Sequence, residues 1–286
     1  TILFRQILGK NMMIKLINQK RSSQQNKHLF KDSNHILSMR SLEKNHERLS
    51  ELLQPGMSVL DIGCGPGSIT RGIAARVVPD GKVIGVDINH SLIEEAGHNY
   101  RHISNLTFET GNIYNLPFSQ QFDLVIAARI LHWLDRPCEA LEMIKRYLKP
   151  GGIVIAYEPN FEKLVWQPNP PDSVKVFYDA FLEWRIKMQM DNTIADKLSK
   201  MFKNAGFINV VQTPQHEIVN STDLNFETSI GIWEDIMIIH GSQIVKNGLI
   251  SEQQMMQARV DYHKWVLNSA LHQTVYFNAV DAITPE

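Results

Sequence analysis

The chain has 286 residues, 43% of them hydrophobic, and a formal net charge of −1 at pH 7. This is enough apolar sequence for one large folded unit or two small ones, and the average charge gives no sign of a nucleic-acid partner. No apolar stretch reaches the roughly 18 residues that a membrane-spanning helix needs. The two cysteines, Cys64 and Cys138, fit neither a zinc motif nor a disulfide framework. We therefore expect reduced thiols in a cytoplasmic protein without a metal site.

The N-terminal segment is basic, since residues 1–48 hold ten Lys or Arg against three Asp or Glu. We predict that residues 1–40 are a leader, partly disordered or derived from a vector, and that residues 41–286 form a single domain. A basic arm could also contact RNA, an anionic membrane or an acidic carrier protein.

Helices and strands alternate between residues 40 and 158. The predicted elements are a helix over 41–53, strands at MSVLDIG (57–63), KVIGVDI (82–88), LTFET (106–110), FDLVIAA (122–128) and GIVIAYE (152–158), and helices between these strands. Ser91 and Glu94 predict a capping box at the start of one helix. This alternation predicts βαβ units and a parallel sheet covered by helices on both faces.

The pattern changes after residue 158. The remaining elements predicted are a helix over 194–204, a strand at FINVVQ (207–212), a helix that begins with a Ser251/Gln254 capping box, and a last strand at TVYFNAVDAI (274–283). Two further segments, 161–191 and 222–270, are largely helical and hold four of the five tryptophans. We predict that they form an aromatic helical cap over the strand ends, which would suit a planar or apolar acceptor.

A glycine-rich loop, VLDIGCGPG (59–67), follows the first strand. Glycines on alternate positions, Gly63, Gly65 and Gly67, let the backbone turn tightly and let a ligand approach it closely. An ordinary βα turn would need only one of them. A dinucleotide site would need a third glycine where Ser68 stands, so that fingerprint is not met.

The spacing acid-x-G-x-G-x-G resembles the class I S-adenosylmethionine-dependent methyltransferases. FDLVIAARILHWLDRP (122–137) and LKPGGIVIAYEPN (148–160) are similar to segments of the ubiquinone/menaquinone-type small-molecule members. The resemblance implies a Rossmann-like α/β fold, with a seven-stranded, mostly parallel sheet whose last strand is antiparallel. It also implies S-adenosylmethionine as cofactor and S-adenosylhomocysteine as product.

The resemblance also assigns residues to the cofactor. The loop residues Gly63, Cys64, Gly65 and Gly67 would hold its methionine part, with Asp61 ordering the ammonium group. Asp87, next to Ile88, would accept the ribose hydroxyls. The adenine would meet Asn112, where many relatives have Asp, and Ile113. Ala128 and Arg129 would line the cofactor beside the fourth strand.

The acceptor is expected at the ends of the fourth and fifth strands. His132 could take a proton or hold a carboxylate acceptor, because its pKa lies near working pH. Glu158 is the second catalytic candidate. Both could instead be structural, with His132 packing the turn and Glu158 facing solvent or fixing a lid. The candidate acceptor contacts are Trp133, Tyr157, Trp166 and Tyr178.

We expect methyl transfer to a small molecule. Two alternatives stay open, namely a macromolecular acceptor (RNA, protein or acyl carrier) and a non-catalytic binder that kept the cofactor fold. No RNA-binding module is visible in the sequence. Oligomeric state, acceptor identity and the atom methylated are not predicted.

Overall fold

The computed structural model describes residues 40–286, so the predicted basic leader lies outside the described residues except for Arg40. The helices are α1 (Leu42–Asn45), α2 (Glu47–Leu52), α3 (Thr70–Arg76), α4 (His90–Tyr100), α5 (Pro137–Tyr147), α6 (Asp172–Lys187), α7 (Ile194–Asn204), α8 (Phe226–Ile230), α9 (Ile232–Lys246) and α10 (Glu252–Asn268). The strands are β1 (Ser58–Ile62), β2 (Lys82–Asp87), β3 (Leu106–Thr110), β4 (Phe122–Ala128), β5 (Leu148–Gln167), β6 (Ile208–Pro214), β7 (Glu217–Asn220) and β8 (His272–Ile283).

The strands form one sheet in the order β3-β2-β1-β4-β5-β8-β6, with β7 also paired to β8. Strands β1 to β5 are parallel, and β8 is antiparallel to each of its three partners. The predicted fold class is confirmed, but the sheet has eight strands instead of seven. The additional strand, β7, reads EIVN and lacks the alternation of apolar and polar residues that marks a strand in the sequence.

Hydrophobic residues cover both faces of the sheet. Along β1, Leu60 and Ile62 belong to a cluster that includes Leu198 of α7, whereas Val59 belongs to a second cluster with Leu49 of α2. Successive side chains of a strand point to opposite faces, so a run of apolar residues fills both layers. This explains why the apolar runs predicted the parallel strands well.

A third hydrophobic cluster joins the two segments predicted as the cap. Its buried members include Phe177 and Phe181 of α6, Trp233 of α9, and Tyr262 of α10. The helices of 161–191 and 222–270 therefore pack against one another around a core of their own. No helix within residues 40–286 is both long and apolar enough to cross a membrane.

Several element boundaries differ from the prediction. The helix over 41–53 is divided into α1 and α2 at His46, whose φ of −143° is not helical. The fifth strand, predicted over 152–158, extends to Gln167 because β8 pairs with it along its length, out to a His272–Gln167 pairing. A long-range partner of this kind leaves no local signal in the sequence.

The two predicted capping boxes have different outcomes. Ser251 accepts a hydrogen bond from the Gln254 amide and the Gln254 side chain accepts one from the Ser251 amide, which confirms the second box. The prediction for Ser91 is wrong, because Asn89 is the N-cap and its Oδ1 accepts from the Ser91 amide at 3.1 Å. Asn89 has extended backbone angles and stands two residues before Ser91, directly ahead of the first helical residue, so it takes the N-cap position.

Candidate functional site

The glycine loop lies at the carboxyl end of β1, where the sequence predicted a ligand. Gly63, Gly65 and Gly67 have φ values of +72°, +54° and +81°. A Cβ on Gly63 would lie 2.4 Å from Cδ1 of Ile130, so a side chain would fit there neither conformationally nor sterically. The loop thus brings bare backbone to the end of the sheet.

Asp87 ends β2 and ties this loop in place. Its Oδ2 accepts from the Gly65 amide at 3.0 Å, and its Oδ1 accepts from the Asn89 amide at 2.8 Å. Burial raises the pKa of Asp87, and the two amides oppose that rise. Each carboxylate oxygen keeps a lone pair for a further donor. The neighbouring side chain, Ile88, is 71% exposed.

Two loop residues predicted at the cofactor have raised pKa values, the buried Asp61 and the half-buried Cys64. Asp61 accepts from the Thr70 hydroxyl at 2.7 Å, and burial raises the pKa of Asp61 to about 7, with a further contribution from Asp87. Burial also raises the pKa of the Cys64 thiol well above its usual range. Cys64 is therefore an unreactive thiol, while Asp61 can hold or release a proton near neutral pH.

The two residues predicted at the adenine have different environments. The side chain of Asn112 is exposed, and its Oδ1 accepts from the Tyr114 amide at 3.1 Å. Ile113 is buried in the core cluster, and its carbonyl accepts from the Tyr147 hydroxyl at 2.8 Å. The structure thus leaves Asn112 accessible and encloses the side chain of Ile113.

Arg129 follows Ala128 at the end of β4 with a φ of +58°. Its guanidinium pairs with Glu217 of β7 and lies 4.7 Å from the Tyr157 ring centroid and 4.9 Å from that of Phe277. Tyr157 stacks on Phe277 and is buried on the face of the sheet opposite to the next residue, Glu158. The side chains of Arg129 and Tyr157 therefore contact each other, and the charge of Arg129 also helps to lower the pKa of His132.

The two catalytic candidates, by contrast, are in direct contact. His132 belongs to a short 3₁₀-helix (Leu131–Trp133) that follows β4, and its Nδ1 lies 2.5 Å from Oε2 of Glu158. The other carboxylate oxygen of Glu158 accepts from the amides of Ile130 and Leu131 at 2.9 and 2.8 Å. Both Glu158 and His132 are buried.

This pairing fixes the chemistry of the imidazole. Because the Glu158 carboxylate accepts at Nδ1, the neutral ring carries its proton there and leaves a lone pair on Nε2. Burial lowers the pKa of His132, and Glu158 partly offsets that effect. Within residues 40–286, Nε2 makes no hydrogen bond. A neutral imidazole held in this way can accept a proton.

Ile130 connects the pair to the glycine loop. Its amide donates to Glu158, while its side chain occupies the space that a Cβ on Gly63 would need. The His132–Glu158 pair and the loop are thus two sides of one site at the carboxyl ends of β1 and β4, as open α/β sheets place their ligands.

Of the four predicted acceptor contacts, only Trp133 lies next to His132, with ring centroids 4.9 Å apart. Trp166 donates from its indole to Gln273 at 2.8 Å, and Tyr178 donates to the Phe161 carbonyl. Both are partly buried and pack against the core of the helical segments. The structure does not bring them together with His132.

One residue of this site was missed. Arg185 of α6 is fully buried and donates from Nη2 to the carbonyl of His132 at 2.7 Å. It stands four residues after Phe181 and eight after Phe177, on the apolar stripe of its helix. A charged residue on such a stripe was the available signal, since helical positions four apart share a face.

Comparison with known proteins identifies relatives. A family description, "Methyltransferase domain", matches residues 53–220. A demethylmenaquinone methyltransferase of Lactococcus lactis is 33% identical over 182 residues, which cover 58% of this chain and 71% of that protein. An uncharacterized methyltransferase of Schizosaccharomyces pombe is 41% identical over 109 residues, which cover 35% of this chain. The matches span only 39% of the S. pombe protein and 44% of a Streptomyces fradiae relative.

Solved structures share the fold. A Haemonchus contortus phosphoethanolamine N-methyltransferase, in complex with phosphomonomethylethanolamine and S-adenosylhomocysteine, superposes with a TM-score of 0.52 at 19% identity. That alignment covers 85% of this chain and 53% of the other. A Bacillus halodurans structure gives a TM-score of 0.56 at 16% identity over 84% of this chain and 98% of its own.

Proposed function

This chain belongs to the methyltransferase-domain family, and from that premise we propose that it transfers a methyl group from S-adenosylmethionine to a small-molecule acceptor. The observation that carries the proposal is the His132–Glu158 pair, which Ile130 holds beside the glycine loop. A small-molecule acceptor is supported by the names of several relatives, which are demethylmenaquinone methyltransferases.

The residues at the loop fit this cofactor. The backbone cradle at Gly63 has no room for a Cβ, and Asp87 retains lone pairs that suit two ribose hydroxyls. Ile88 and Asn112 are exposed and could contact the adenine, and Asp61 carries a titratable carboxyl near the methionine end. When bound, S-adenosylmethionine supplies a methyl group already activated on a sulfonium, and S-adenosylhomocysteine is the by-product.

His132 is proposed as the general base. Its Nε2 lone pair would take the proton released by the attacking oxygen, nitrogen or carbon of the acceptor. The low pKa of the buried ring keeps it neutral, and hence able to accept, at neutral pH. Glu158 is a positioning residue, because it orients the ring through Nδ1 and orders the turn through two backbone amides.

The helical segments are proposed to cover the acceptor. They contact the turn after β4 through the hydrogen bond from Arg185 to His132, the ring contact of Trp133 with His240 at 5.2 Å and that of His132 with Phe161 at 5.4 Å. A cover of this kind would exclude water and orient the acceptor, which is most of what a methyl displacement needs from a protein.

Calorimetric titration tests the cofactor. We expect S-adenosylmethionine and S-adenosylhomocysteine to bind and NAD not to bind. Asp87→Ala should weaken both affinities at least tenfold, because a half-buried acceptor of hydroxyl hydrogen bonds is lost. Asp80→Ala is the matched control, since it removes the same charge at the other end of β2. Preferential binding of NAD would refute the proposal.

Turnover tests the base, with a reduced quinone as the first acceptor and S-adenosylhomocysteine formation as the readout. His132→Ala should lower kcat about 10²–10⁴-fold without changing cofactor affinity. Glu158→Gln should lower kcat less and should also move the pH profile, because the ring loses its charged partner. An unchanged kcat in His132→Ala would show that the His132 ring has a structural role and is not the base.

A further inference from the structure

Arg185 is a buried cation that has no anionic partner among residues 40–286. Its relative exposure is 0%, and its guanidinium makes two hydrogen bonds, from Nη2 to the His132 carbonyl and from Nε to Oδ1 of Asn192. The third nitrogen, Nη1, is buried and has no hydrogen-bond partner in the described part of the chain. Burying an unsatisfied charged donor is costly, so a further acceptor for Nη1 would be strongly favoured.

No carboxylate within residues 40–286 fills this role, since none lies within ion-pair distance of Arg185. The two that act on it electrostatically are engaged elsewhere. Glu158 accepts from His132 and from the backbone of the turn, and Asp191 accepts from Thr193 and Lys197. The positive charge of Arg185 is therefore not neutralised by a direct contact.

A second unsatisfied atom lies nearby on α9. Nδ1 of His240 is buried and finds no hydrogen-bond partner among the residues that the structure describes. The His240 ring contacts Trp133 at 5.2 Å, Phe181 at 6.3 Å and Trp184 at 5.0 Å. The guanidinium carbon of Arg185 lies 4.9 Å from the same Trp133 ring and 5.5 Å from Phe181. Burial and Arg185 together lower the pKa of His240 to about 4. The neutral ring can donate a hydrogen bond from Nδ1.

Building on the methyl-transfer function proposed above, we propose that Arg185 and His240 form a subsite for an oxyanion carried by the acceptor, such as a carboxylate. Nη1 of Arg185 would pair with one oxygen, and Nδ1 of His240 would donate to the group. The acceptor would then be an anionic molecule whose charge is held beside the turn that carries His132.

The aromatic rings around Arg185 indicate what the rest of the acceptor should be. Phe161 lies 4.6 Å from the Arg185 guanidinium carbon, and with Trp133 and Phe181 it surrounds that group with apolar faces. These faces suit a planar ring or an unsaturated chain next to the oxyanion. Trp133 is 37% exposed and touches both unsatisfied residues, so its displacement would open the subsite.

Benzoate and benzamide are the probes, because they share a ring and differ in charge. Each is titrated into the full chain saturated with S-adenosylhomocysteine and followed by calorimetry and by tryptophan fluorescence. We expect benzoate to bind at least tenfold more tightly than benzamide, as a charge-assisted contact predicts. Equal affinities, or no benzoate binding at 10 mM, would overturn the subsite.

Two variants locate the effect. Arg185→Gln should remove the preference for benzoate, and His240→Phe, which keeps the ring volume and loses Nδ1, should reduce it several-fold. Lys187→Gln is the matched control, because it removes an exposed cation from the same helix and should change nothing. If Arg185→Gln does not fold, the test rests on His240→Phe. An unchanged preference for benzoate over benzamide in that variant would refute the subsite. Failure of S-adenosylhomocysteine to bind would instead refute the proposed function.

Discussion

A Cβ added to Gly63 would collide with the side chain of Ile130. The backbone amide of Ile130 in turn donates a hydrogen bond to Glu158. One backbone position is therefore constrained both by the φ of the loop and by the turn that carries the proposed base. Asp87 constrains the same loop from β2 through the Gly65 amide. Substitution in this loop should consequently disturb both the cofactor site and the turn after β4.

Gly63→Ala tests this double constraint. Gly248 has the same φ of +72° but open space at its Cβ position, so Gly248→Ala measures the backbone cost alone. We expect Gly248→Ala to lower the free energy of unfolding by about 1 kcal/mol. Gly63→Ala should cost about 1–3 kcal/mol more because its methyl group collides with Ile130. Equal losses in urea unfolding would show that Ile130 moves aside freely.

The raised pKa of Asp61 predicts that the free energy of unfolding depends on pH. Burial raises its pKa from 3.8 to about 7, so between these values the folded protein binds more protons than the unfolded chain. The free energy of unfolding should therefore fall as pH rises from about 4 to 7 and level off above 7. Asp61→Asn keeps an oxygen for the Thr70 hydroxyl and removes this titration. Relative to that variant, the wild type should lose up to about 4 kcal/mol across the window.

The comparison is made by urea unfolding at closely spaced pH values. The difference between wild type and Asp61→Asn, not either curve alone, isolates this carboxyl from the other titrating groups. A difference that stays constant from pH 4 to 8 would show that Asp61 is already ionised at pH 4.

At the scale of elements, the sequence correctly predicted the helices and strands that depend on interactions between residues close together in the chain. The apolar runs of β1 and β4 and the caps of α10 depend on neighbours in the chain, and they were predicted correctly. The length of β5 and the existence of β7 depend on pairing with β8, which no local pattern reports. The same division holds for the site, where the glycine loop was recognised. For Arg185 the sequence offered only a charged residue on an apolar helix stripe, and nothing local indicated its contact with His132, 53 residues away.

The start of α4 gives an element-scale prediction. Asn89 accepts from the Ser91 amide, whereas the Ser91 side chain is exposed. Asn89→Ala should lower the free energy of unfolding by about 1 kcal/mol, because an amide at the helix start loses its acceptor. Ser91→Ala should stay within about 0.5 kcal/mol. The reverse order in chemical denaturation would restore the capping box that the sequence suggested.

At the scale of the whole molecule, an ion pair connects α2, near the start of the described residues, to the last strand, β8. Arg48 of α2 donates from Nε and Nη2 to both carboxylate oxygens of Asp281 in β8, at 2.8 and 3.1 Å. Asp281 is buried, with 8% of its side chain exposed. This bidentate pair links distant parts of the chain, and geometry of this kind is stronger than a surface ion pair.

Arg48→Ala should lower the free energy of unfolding by about 2 kcal/mol, since it leaves a buried carboxylate without its partner. The matched control is Lys175→Ala, which breaks an exposed pair with Asp179 at a similar distance of 2.7 Å. That variant should cost less than about 0.5 kcal/mol. Similar losses in thermal unfolding would show that Asp281 is adequately hydrated without Arg48.

The position of β8 has a consequence for synthesis on the ribosome. Strands β6 and β7 are complete by Asn220, and within the described residues 40–286 they pair only with β8, which begins at His272. While the intervening segment is being translated, both strands and one edge of β5 have exposed backbone and lack their final neighbour. A ribosome stalled before residue 272 would therefore display an incomplete sheet, a natural substrate for chaperones that protect unpaired strand edges.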